Sequence, residues 1–247
     1  MDFAAEFTRQ NRLLTELVSA ADPDADVPTC PGWTLRKLVT HVGRGHRWAA
    51  TIVRERADGP VDPRTVADGK PPTEWPGAVD WLAKAQQLLF DAVEATGPAT
   101  TVWTFTGPQP SAWWFRRRLH ETVVHRADAA IAAGVGFEVE PDIAADCLSE
   151  WLSLVAARPV GTPLTEGASL HLHATDEDLT VAGEWMVRAA GDVITWEHEH
   201  AKGTVAVRGK AADLALAMLR RLPADDPGLE IIGDAAVLTT WLDRTDF

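Results

Sequence analysis

The hydrophobic pattern of the chain changes its period near residue 138, and this change limits the fold more than any other feature. Up to that point, apolar side chains recur at the spacing of amphipathic helices. Four helices are predicted, at residues 3–20, 34–56, 76–96 and 113–133. Between the second and third lies a long crossover rich in Pro and Gly. This arrangement predicts a four-helix bundle over residues 1–138, a fold that builds metal sites from side chains on facing helices.

Beyond residue 138, short alternating segments replace the long helices. Alternation of apolar and polar residues is typical of half-buried strands, and turn residues separate the segments. The predicted strands are residues 169–174, 179–183, 184–188, 193–198 and 204–208. The predicted helices are residues 141–157, 211–221 and 235–243. Residues 139–247 are therefore expected to form a small α+β domain with an antiparallel sheet, so the fold class is mixed, α + α/β, with two domains.

The charge balance bears on the partners that the chain can bind. Asp and Glu number 36 against 23 Lys and Arg, which gives a formal net charge of −13. Nucleic acid and anionic membranes need basic surfaces, so neither is expected as a partner. The first residues do not resemble a signal peptide, and no apolar run is long enough to span a bilayer. Cys30 and Cys147 are expected to be reduced thiols of a cytoplasmic protein, with Cys30 a structural residue.

The predicted fourth helix carries a carboxylate and an imidazole four residues apart, Glu121 and His125. Residues at this spacing lie on one face of a helix. The pair would supply two of the three protein ligands that a catalytic zinc site typically takes. His120 lies five residues from His125, about 140° around the helix, and does not share that face. The alternative is an exposed i,i+4 pair that contributes roughly 0.2–0.5 kcal/mol.

The predicted second helix carries two further histidines, His41 and His46. His41 follows Leu38 on the apolar stripe and is expected to face inward, where a histidine is either a hydrogen-bonded core residue or a ligand. His46 is expected at the rim. We hypothesise that the bundle brings His41 to the pair Glu121 and His125, because such folds place metal ligands on facing helices.

Other residues of ligand type are expected to have no part in a metal site. His171 and His173 share one face of a predicted strand, and so do His198 and His200. Both pairs are expected at solvent-facing positions of a half-buried sheet. The three arginines at 116–118 spread around the helix axis and are expected to form mostly a solvated face.

Three segments resemble motifs of one known family. Residues 27–42, VPTCPGWTLRKLVTHV, resemble the opening motif of the mycothiol-dependent maleylpyruvate isomerase family of actinobacteria. Residues 118–129, RLHETVVHRADA, resemble its second motif. Residues 207–221 more weakly resemble the start of the helix in its C-terminal domain. The motifs follow the domain order of the family, and the resemblance covers nearly the whole chain.

The resemblance implies a DinB-like four-helix bundle followed by a small α+β domain of the sterol-carrier type. It implies a divalent metal, usually zinc, held by His41, Glu121 and His125, the trio that helix spacing also favours. It further implies that an Arg of the C-terminal domain belongs to the active site. Arg221 is the best match, with Arg220 beside it at a position where the family often has Gly.

The resemblance also implies a reaction. A coordinating thiol is ionised, so the implied cosubstrate mycothiol would enter as a thiolate and attack a small electrophile. In an isomerase the thiol leaves again, whereas in a transferase it stays in the product. Arg221 would neutralise a substrate carboxylate or a developing enolate. The alternatives are a metal-binding sensor without turnover and a metal-dependent hydrolase. The expected partners are a thiol and a small-molecule electrophile, and both a monomer and a homodimer are open.

Overall fold

The structure is a computed structural model that describes residues 1–158, 161 and 163–245. Contacts within the chain divide it into two units, Met1–Phe137 and Glu138–Phe247. The fold class, a helical bundle followed by a small α+β unit, is confirmed. None of the helices in the described part of the chain combines the length and hydrophobicity needed to cross a membrane.

The first unit is a bundle in which α1 and α2 each pack against α3 and α4. Its helices are α1 (Phe3–Ser19), α2 (Leu35–Arg54), α3 (Trp75–Thr96) and α4 (Trp113–Ala133). A 3-10 turn at Pro63–Thr65 lies in the crossover, and two short paired strands, β1 (Thr101–Val102) and β2 (Gln109–Pro110), precede α4. Local chemistry sets the helix ends. The Asp2 side chain accepts from the first-turn amides of α1, and Gly134 ends α4 with a left-handed φ of 66°.

Helices α2 and α3 approach closely where Gly43 faces Trp81. A Cβ at position 43 would lie 2.2 Å from Cζ3 of Trp81. The indole cannot easily move away, because its Nε1 donates to the carbonyl of Asp68 at 2.9 Å and the Arg47 guanidinium covers its ring at 3.9 Å. The backbone of α2 is therefore held against the ring by the absence of a side chain at Gly43.

In its described residues, the second unit has three helices and a five-stranded sheet in the order β5-β4-β3-β6-β7. Its helices are α5 (Pro141–Ala156), α6 (Ala211–Met218) and α7 (Ala235–Arg244). Its strands are β3 (Ser169–Ala174), β4 (Glu184–Ala190), β5 (Val193–Glu197), β6 (Val205–Gly209) and β7 (Glu230–Gly233). Three of the pairings are antiparallel as predicted, whereas β3 and β6 run parallel, so the sheet is mixed.

One face of the sheet is apolar and packs against helices. Leu170 and Leu172 on β3 and Trp185 on β4 are fully buried. The Trp185 indole donates to the Ser149 hydroxyl of α5 at 2.8 Å, which ties this helix to the sheet. The opposite face carries the polar side chains that alternate with these residues.

The second unit departs from the predicted elements in three places. The predicted strand at residues 179–183 is a loop, because the Thr180 amide donates to Asp142 at the start of α5 instead of joining a ladder. Strand β7 was not predicted. Helix α6 ends at Met218 and not at residue 221, because Arg220 adopts a left-handed φ of 63° and the Arg221 amide turns back to the carbonyl of Leu216.

Replacing Gly43 by Ala should destabilise the protein by roughly 1–3 kcal/mol, the usual cost of overpacking a core. In an ordinary helix interior the same change stabilises by roughly 0.5–1 kcal/mol, so the sign separates the two cases. Urea unfolding measures the difference. Gly59→Ala is the control, since a Cβ there meets nothing within 4 Å. A Gly43→Ala variant as stable as the parent would contradict the close approach.

Candidate metal centre

The carboxylate of Glu121 lies between two imidazoles from facing helices. Its Oε1 is 3.0 Å from Nε2 of His41 on α2 and 3.3 Å from Nε2 of His125 on α4. The two imidazole rings meet edge to face, with centroids 4.8 Å apart. The bundle therefore brings together the three residues that the sequence singled out, and one ligand atom from each lies within 4.8 Å of the other two.

These spacings fit a bound metal ion. Two donor atoms that bind zinc tetrahedrally at about 2.0–2.1 Å lie about 3.3 Å from each other, close to the distances from Glu121 Oε1 to the two nitrogens. Two imidazoles and one carboxylate are also a donor set that zinc takes in catalytic sites with three protein ligands. The His41 side chain is 42 % exposed, so solvent reaches the site from its side.

A second carboxylate orients His125 from behind. Asp128 lies one helical turn further along α4, and its Oδ2 is 2.9 Å from Nδ1 of His125. The hydroxyl of Thr29 donates to Asp128 Oδ1 at 2.5 Å, and the thiol of Cys30 donates to Oδ2 at 3.4 Å. By binding Nδ1, Asp128 orients the imidazole of His125 so that Nε2 points toward Glu121. A carboxylate that binds the outer nitrogen of a metal-ligating His is a recurrent arrangement.

Sequence reasoning missed this role of Asp128, although the spacing of His125 and Asp128 contains the signal. A carboxylate three residues after a histidine on a helix shares its face. Cys30 was predicted to be structural, and that stays a prediction; its thiol donates to the Asp128 carboxylate. Cys30, His125 and Asp128 also form a group whose ligand atoms lie close together.

The ionisable groups of the site shift the pKa values of one another. Burial raises the pKa of Glu121, but Arg117 and the two histidines outweigh it and hold that pKa well below its ordinary value. Burial lowers the pKa of His125, but its hydrogen bonds with the acceptors Asp128, Cys30 and Glu121 raise it to about 10. Burial lowers the pKa of His41 more than its bond to Glu121 raises it. Glu121 is therefore an anion that cationic and polar groups surround.

Trp33 forms one wall of the site. Its ring lies 5.0 Å from that of His41 and stacks on that of His125 at 6.0 Å, measured between centroids. Trp33 belongs to the loop before α2, as do Thr29 and Cys30. The loop therefore supplies both an aromatic wall and the groups that hold Asp128.

The other histidines of the bundle lie outside this group. His120 is buried and is not among the clustered ligands, in agreement with its exclusion on spacing. His46 is fully buried, so its predicted position at the rim is wrong. Its Nδ1 accepts from Nε of Arg118 at 3.0 Å, and its Nε2 lies 3.2 Å from the side-chain oxygen of Asn11. Because the guanidinium only donates, the proton of His46 is on Nε2 and points to Asn11.

The arginines at 116–118 do not form a mostly solvated face, contrary to the prediction. Arg118 is buried and also donates to the carbonyl of Val42. Arg117 is largely buried and forms an ion pair with Glu121. The sequence pattern could not distinguish this packing from an exposed face, because an arginine stem is apolar along its length and its head pairs readily.

Arg221, the remaining predicted site residue, belongs to the second unit. It follows the left-handed turn at Arg220, and its Nη1 donates to the carbonyl of Leu219 at 2.7 Å. The turn explains why glycine suits position 220, since a left-handed φ costs a residue with a Cβ about 1–2 kcal/mol. A role for Arg221 in binding a substrate stays a prediction.

The histidines of the sheet do not all face solvent. His171 is buried on β3, where its Nε2 lies 2.9 Å from Oε2 of Glu184, so its predicted exposure is wrong. His173 and His200 join the same carboxylate, whereas His198 bonds to the backbone carbonyl of Glu184.

Two family models match the chain. One, described as the mycothiol maleylpyruvate isomerase N-terminal domain, matches residues 3–130. The other, described as the MDMPI C-terminal domain, matches residues 142–240. Together they span most of the sequence, and the chain belongs to the mycothiol maleylpyruvate isomerase family.

Two solved structures have the same fold. A mycothiol-dependent maleylpyruvate isomerase is 15% identical, with a TM-score of 0.64, over 93% of this chain and 91% of that chain. A single-substitution mutant of the mycothiol-dependent maleylpyruvate isomerase is 14% identical, with a TM-score of 0.63 and the same coverage. No protein of curated function matches the sequence.

The buried His46 should make the protein sensitive to acid. Burial, followed by the charge of Arg118, lowers its pKa well below the ordinary value. The folded chain keeps His46 neutral, whereas the unfolded chain takes up a proton below a pH of about 6.5. Stability should therefore fall as the pH drops below that value, by up to about 1.4 kcal/mol per pH unit from this residue.

The measurement is urea unfolding of the metal-free protein between about pH 5 and 8, comparing the parent with His46→Gln. Glutamine keeps an acceptor for Arg118 but does not titrate. We expect a flatter pH dependence in this variant, and an unchanged dependence in a His198→Gln control on the surface of the second unit. Parallel curves for His46→Gln and the parent would contradict the assignment.

Proposed function

We propose that this member of the mycothiol maleylpyruvate isomerase family is a cytoplasmic, metal-dependent enzyme that uses a low-molecular-weight thiol, mycothiol, to isomerise or conjugate a small electrophile. The observation that carries the proposal is the convergence of His41, Glu121 and His125 within ligand distance of one another. The family name supplies the thiol, and the donor set supplies the metal.

In this proposal His41, Glu121 and His125 hold a divalent ion, zinc being the ion that suits two imidazoles and a carboxylate. When bound, the ion supplies a Lewis acid that lowers the pKa of a coordinated thiol into the neutral range. Three protein ligands leave a position for that thiol. The exposed side of His41 is where the thiol would enter.

The surrounding residues act on the ligands. Arg117 pairs with Glu121 and keeps its carboxylate ionised, as a ligand must be. Asp128 is a positioning residue, because its bond to Nδ1 of His125 leaves Nε2 as the nitrogen that faces Glu121. Outer partners of this kind typically contribute about 10–100-fold to metal affinity. Trp33 covers one side of both imidazoles and limits the approach of water there.

The chemistry requires a thiolate, a conjugated electrophile and a cation. The thiolate adds to one carbon of the double bond, a carbon–sulfur bond forms, and the π electrons move to the conjugated carbonyl as an enolate. Rotation about the resulting single bond, followed by return of the enolate electrons and loss of the thiolate, gives the other isomer and regenerates the thiolate. If the enolate is protonated at carbon instead, the thioether is released and the enzyme is a transferase. In this scheme Arg221 neutralises the substrate carboxylate or the enolate.

We expect His41→Ala and Glu121→Gln each to lose one equivalent of bound zinc and to lower mycothiol-dependent turnover of maleylpyruvate by at least about 100-fold. A metal ion contributes several kcal/mol to such a step, and 1.36 kcal/mol is tenfold in rate. Asp128→Asn should keep the metal but bind it about 10–100-fold more weakly. Elemental analysis after dialysis and a spectroscopic assay of the isomerisation measure both effects.

The matched control is Glu16→Gln, which removes the carboxylate of an exposed i,i+4 pair with Arg12 on α1 and leaves the site intact. It should retain metal and activity. Metal binding without turnover of any electrophile would indicate a sensor instead. Turnover that does not depend on added thiol would indicate a hydrolase. Full metal content in both His41→Ala and Glu121→Gln would contradict the metal site.

The role of Arg221 has its own test. Arg221→Gln should raise KM for a substrate with a carboxylate by about tenfold or more, because a charge-assisted hydrogen bond contributes about 1.5–3 kcal/mol. The zinc content should not change. Arg220→Gln, one residue earlier, is the matched control and should leave KM unchanged. A larger effect at Arg220 than at Arg221 would reverse the assignment.

A further inference from the structure

A second cluster of metal-ligating side chains lies on the polar face of the sheet in the second unit. It consists of His171 and His173 on β3, Glu184 on β4 and His200 in the segment between β5 and β6. One ligand atom from each of the four residues lies within 4.8 Å of the others. Nothing in the proposed reaction uses these residues, and all four belong to one unit of the chain.

The three imidazoles surround one carboxylate oxygen. Oε2 of Glu184 lies 2.6 Å from Nδ1 of His200, 2.9 Å from Nε2 of His171 and 3.8 Å from Nδ1 of His173. The imidazole rings form a nearly regular triangle, with centroids separated by 5.9, 5.9 and 6.2 Å. One carboxylate oxygen has two lone pairs, which the imidazoles of His200 and His171 can fill, so a third imidazole nitrogen 3.8 Å from the same atom calls for another explanation.

The sheet topology explains how the four residues meet. His171 and His173 are two residues apart and therefore point to the same face of β3. Glu184 is directly opposite His173 on β4. Residues 198–204 carry the chain from β5 at one edge, across β4 and β3, to β6. This segment passes so close to β3 that a Cβ at Gly203 would lie 3.0 Å from the His171 amide nitrogen. His200 is thereby placed above Glu184.

The crossing segment is anchored at both ends. Nδ1 of His198 lies 2.8 Å from the backbone oxygen of Glu184. At the other end, Thr204 and Ser169 form two reciprocal hydrogen bonds. The Thr204 amide donates to the Ser169 hydroxyl at 3.0 Å, and the Ser169 amide donates to the Thr204 hydroxyl at 3.1 Å. The position of His200 over the sheet is therefore built by backbone contacts and not by its own side chain alone.

The nearby cations have carboxylate partners of their own. Arg208 lies beside His173 on β6 and pairs with Glu230 at 2.8 Å. Arg188 on β4 pairs with Glu197 and Glu199. Among the described side chains, those that pair with the Glu184 carboxylate are the three imidazoles. Burial raises the pKa of Glu184, but His200 and His171 outweigh it and hold that pKa below its ordinary value.

We propose that His171, His173, Glu184 and His200 form a second metal site that binds a divalent transition metal such as zinc. Imidazole nitrogens with a carboxylate suit zinc, copper and nickel, whereas magnesium and calcium prefer oxygen donors. Four protein ligands complete a tetrahedral sphere, which is typical of structural sites. The ion would thus pin residues 198–204 to β3 and β4. The exposed His200, with 78 % of its side chain open, gives the ion a route of entry.

The test uses the untagged full chain carrying His41→Ala and Glu121→Gln, which replaces two of the three donors of the bundle site. Titration with Co²⁺ should give one equivalent with the strong visible absorption of a tetrahedral site, and added Zn²⁺ should abolish it. His200→Ala and His173→Ala should each weaken Co²⁺ binding at least tenfold. Both side chains are at least partly exposed, so loss of folding is not expected, and circular dichroism checks it.

The matched control is Lys202→Ala, an exposed residue of the same crossing segment, two residues from His200, that lies outside the donor set. It should bind Co²⁺ within about twofold of the double variant. Absence of a tetrahedral cobalt spectrum, or binding unchanged by His200→Ala and His173→Ala, would overturn the second site. The two proposals fail separately. One equivalent in the parent and none in the double variant would refute this site alone, whereas one equivalent in both would refute the bundle site alone.

Discussion

The bundle site depends on the contacts of the Glu121 carboxylate, which connect α2 to α4. The carboxylate meets His41 from α2 and both His125 and Arg117 from α4, so one side chain links the two helices. A carboxylate held away from water is costly unless charged and polar partners surround it. These partners also arrange two imidazole nitrogens around one of its oxygens at the spacing of metal ligands. The polar contact between helices and the proposed ligand set are thus the same set of atoms.

Two further groups of hydrogen-bonded polar residues lie next to the contacts of Glu121. Asp128, with Thr29 and Cys30 of the loop before α2, holds His125 from the outer side of its ring. Further along α2, His46 forms a buried pair with Arg118 of α4, and α1 completes this group through Asn11. Buried groups of this kind contribute little net stability, because desolvation offsets much of their attraction. Their effect is to fix the rotation of α2 and α4 about their axes, on which the positions of the ligands depend.

Much of the fold and of the bundle site could be predicted from the sequence. The remaining features could not, and the reasons are physical. Long uninterrupted helices give strong periodicity, so the bundle and the common face of Glu121 and His125 followed from spacing. The convergence of His41 on this pair was a hypothesis from the bundle fold, and the resemblance implied the same three residues. Spacing does not show what a helix face contacts. It therefore misplaced His46 at the rim and the arginines at 116–118 in solvent. The cluster around Glu184 depends on a segment that crosses the sheet, and no local pattern reports such a crossing.

Anomalous scattering at the zinc edge, from crystals of the full chain grown with zinc, would locate the ion. If the bundle holds zinc, we expect a peak within about 2.2 Å of Nε2 of His41, Oε1 of Glu121 and Nε2 of His125, the bonding distance of zinc to such atoms. A fully occupied zinc peak elsewhere in the crystal, with none between these three residues, would contradict this expectation. Glu121 would then form only a polar contact between α2 and α4.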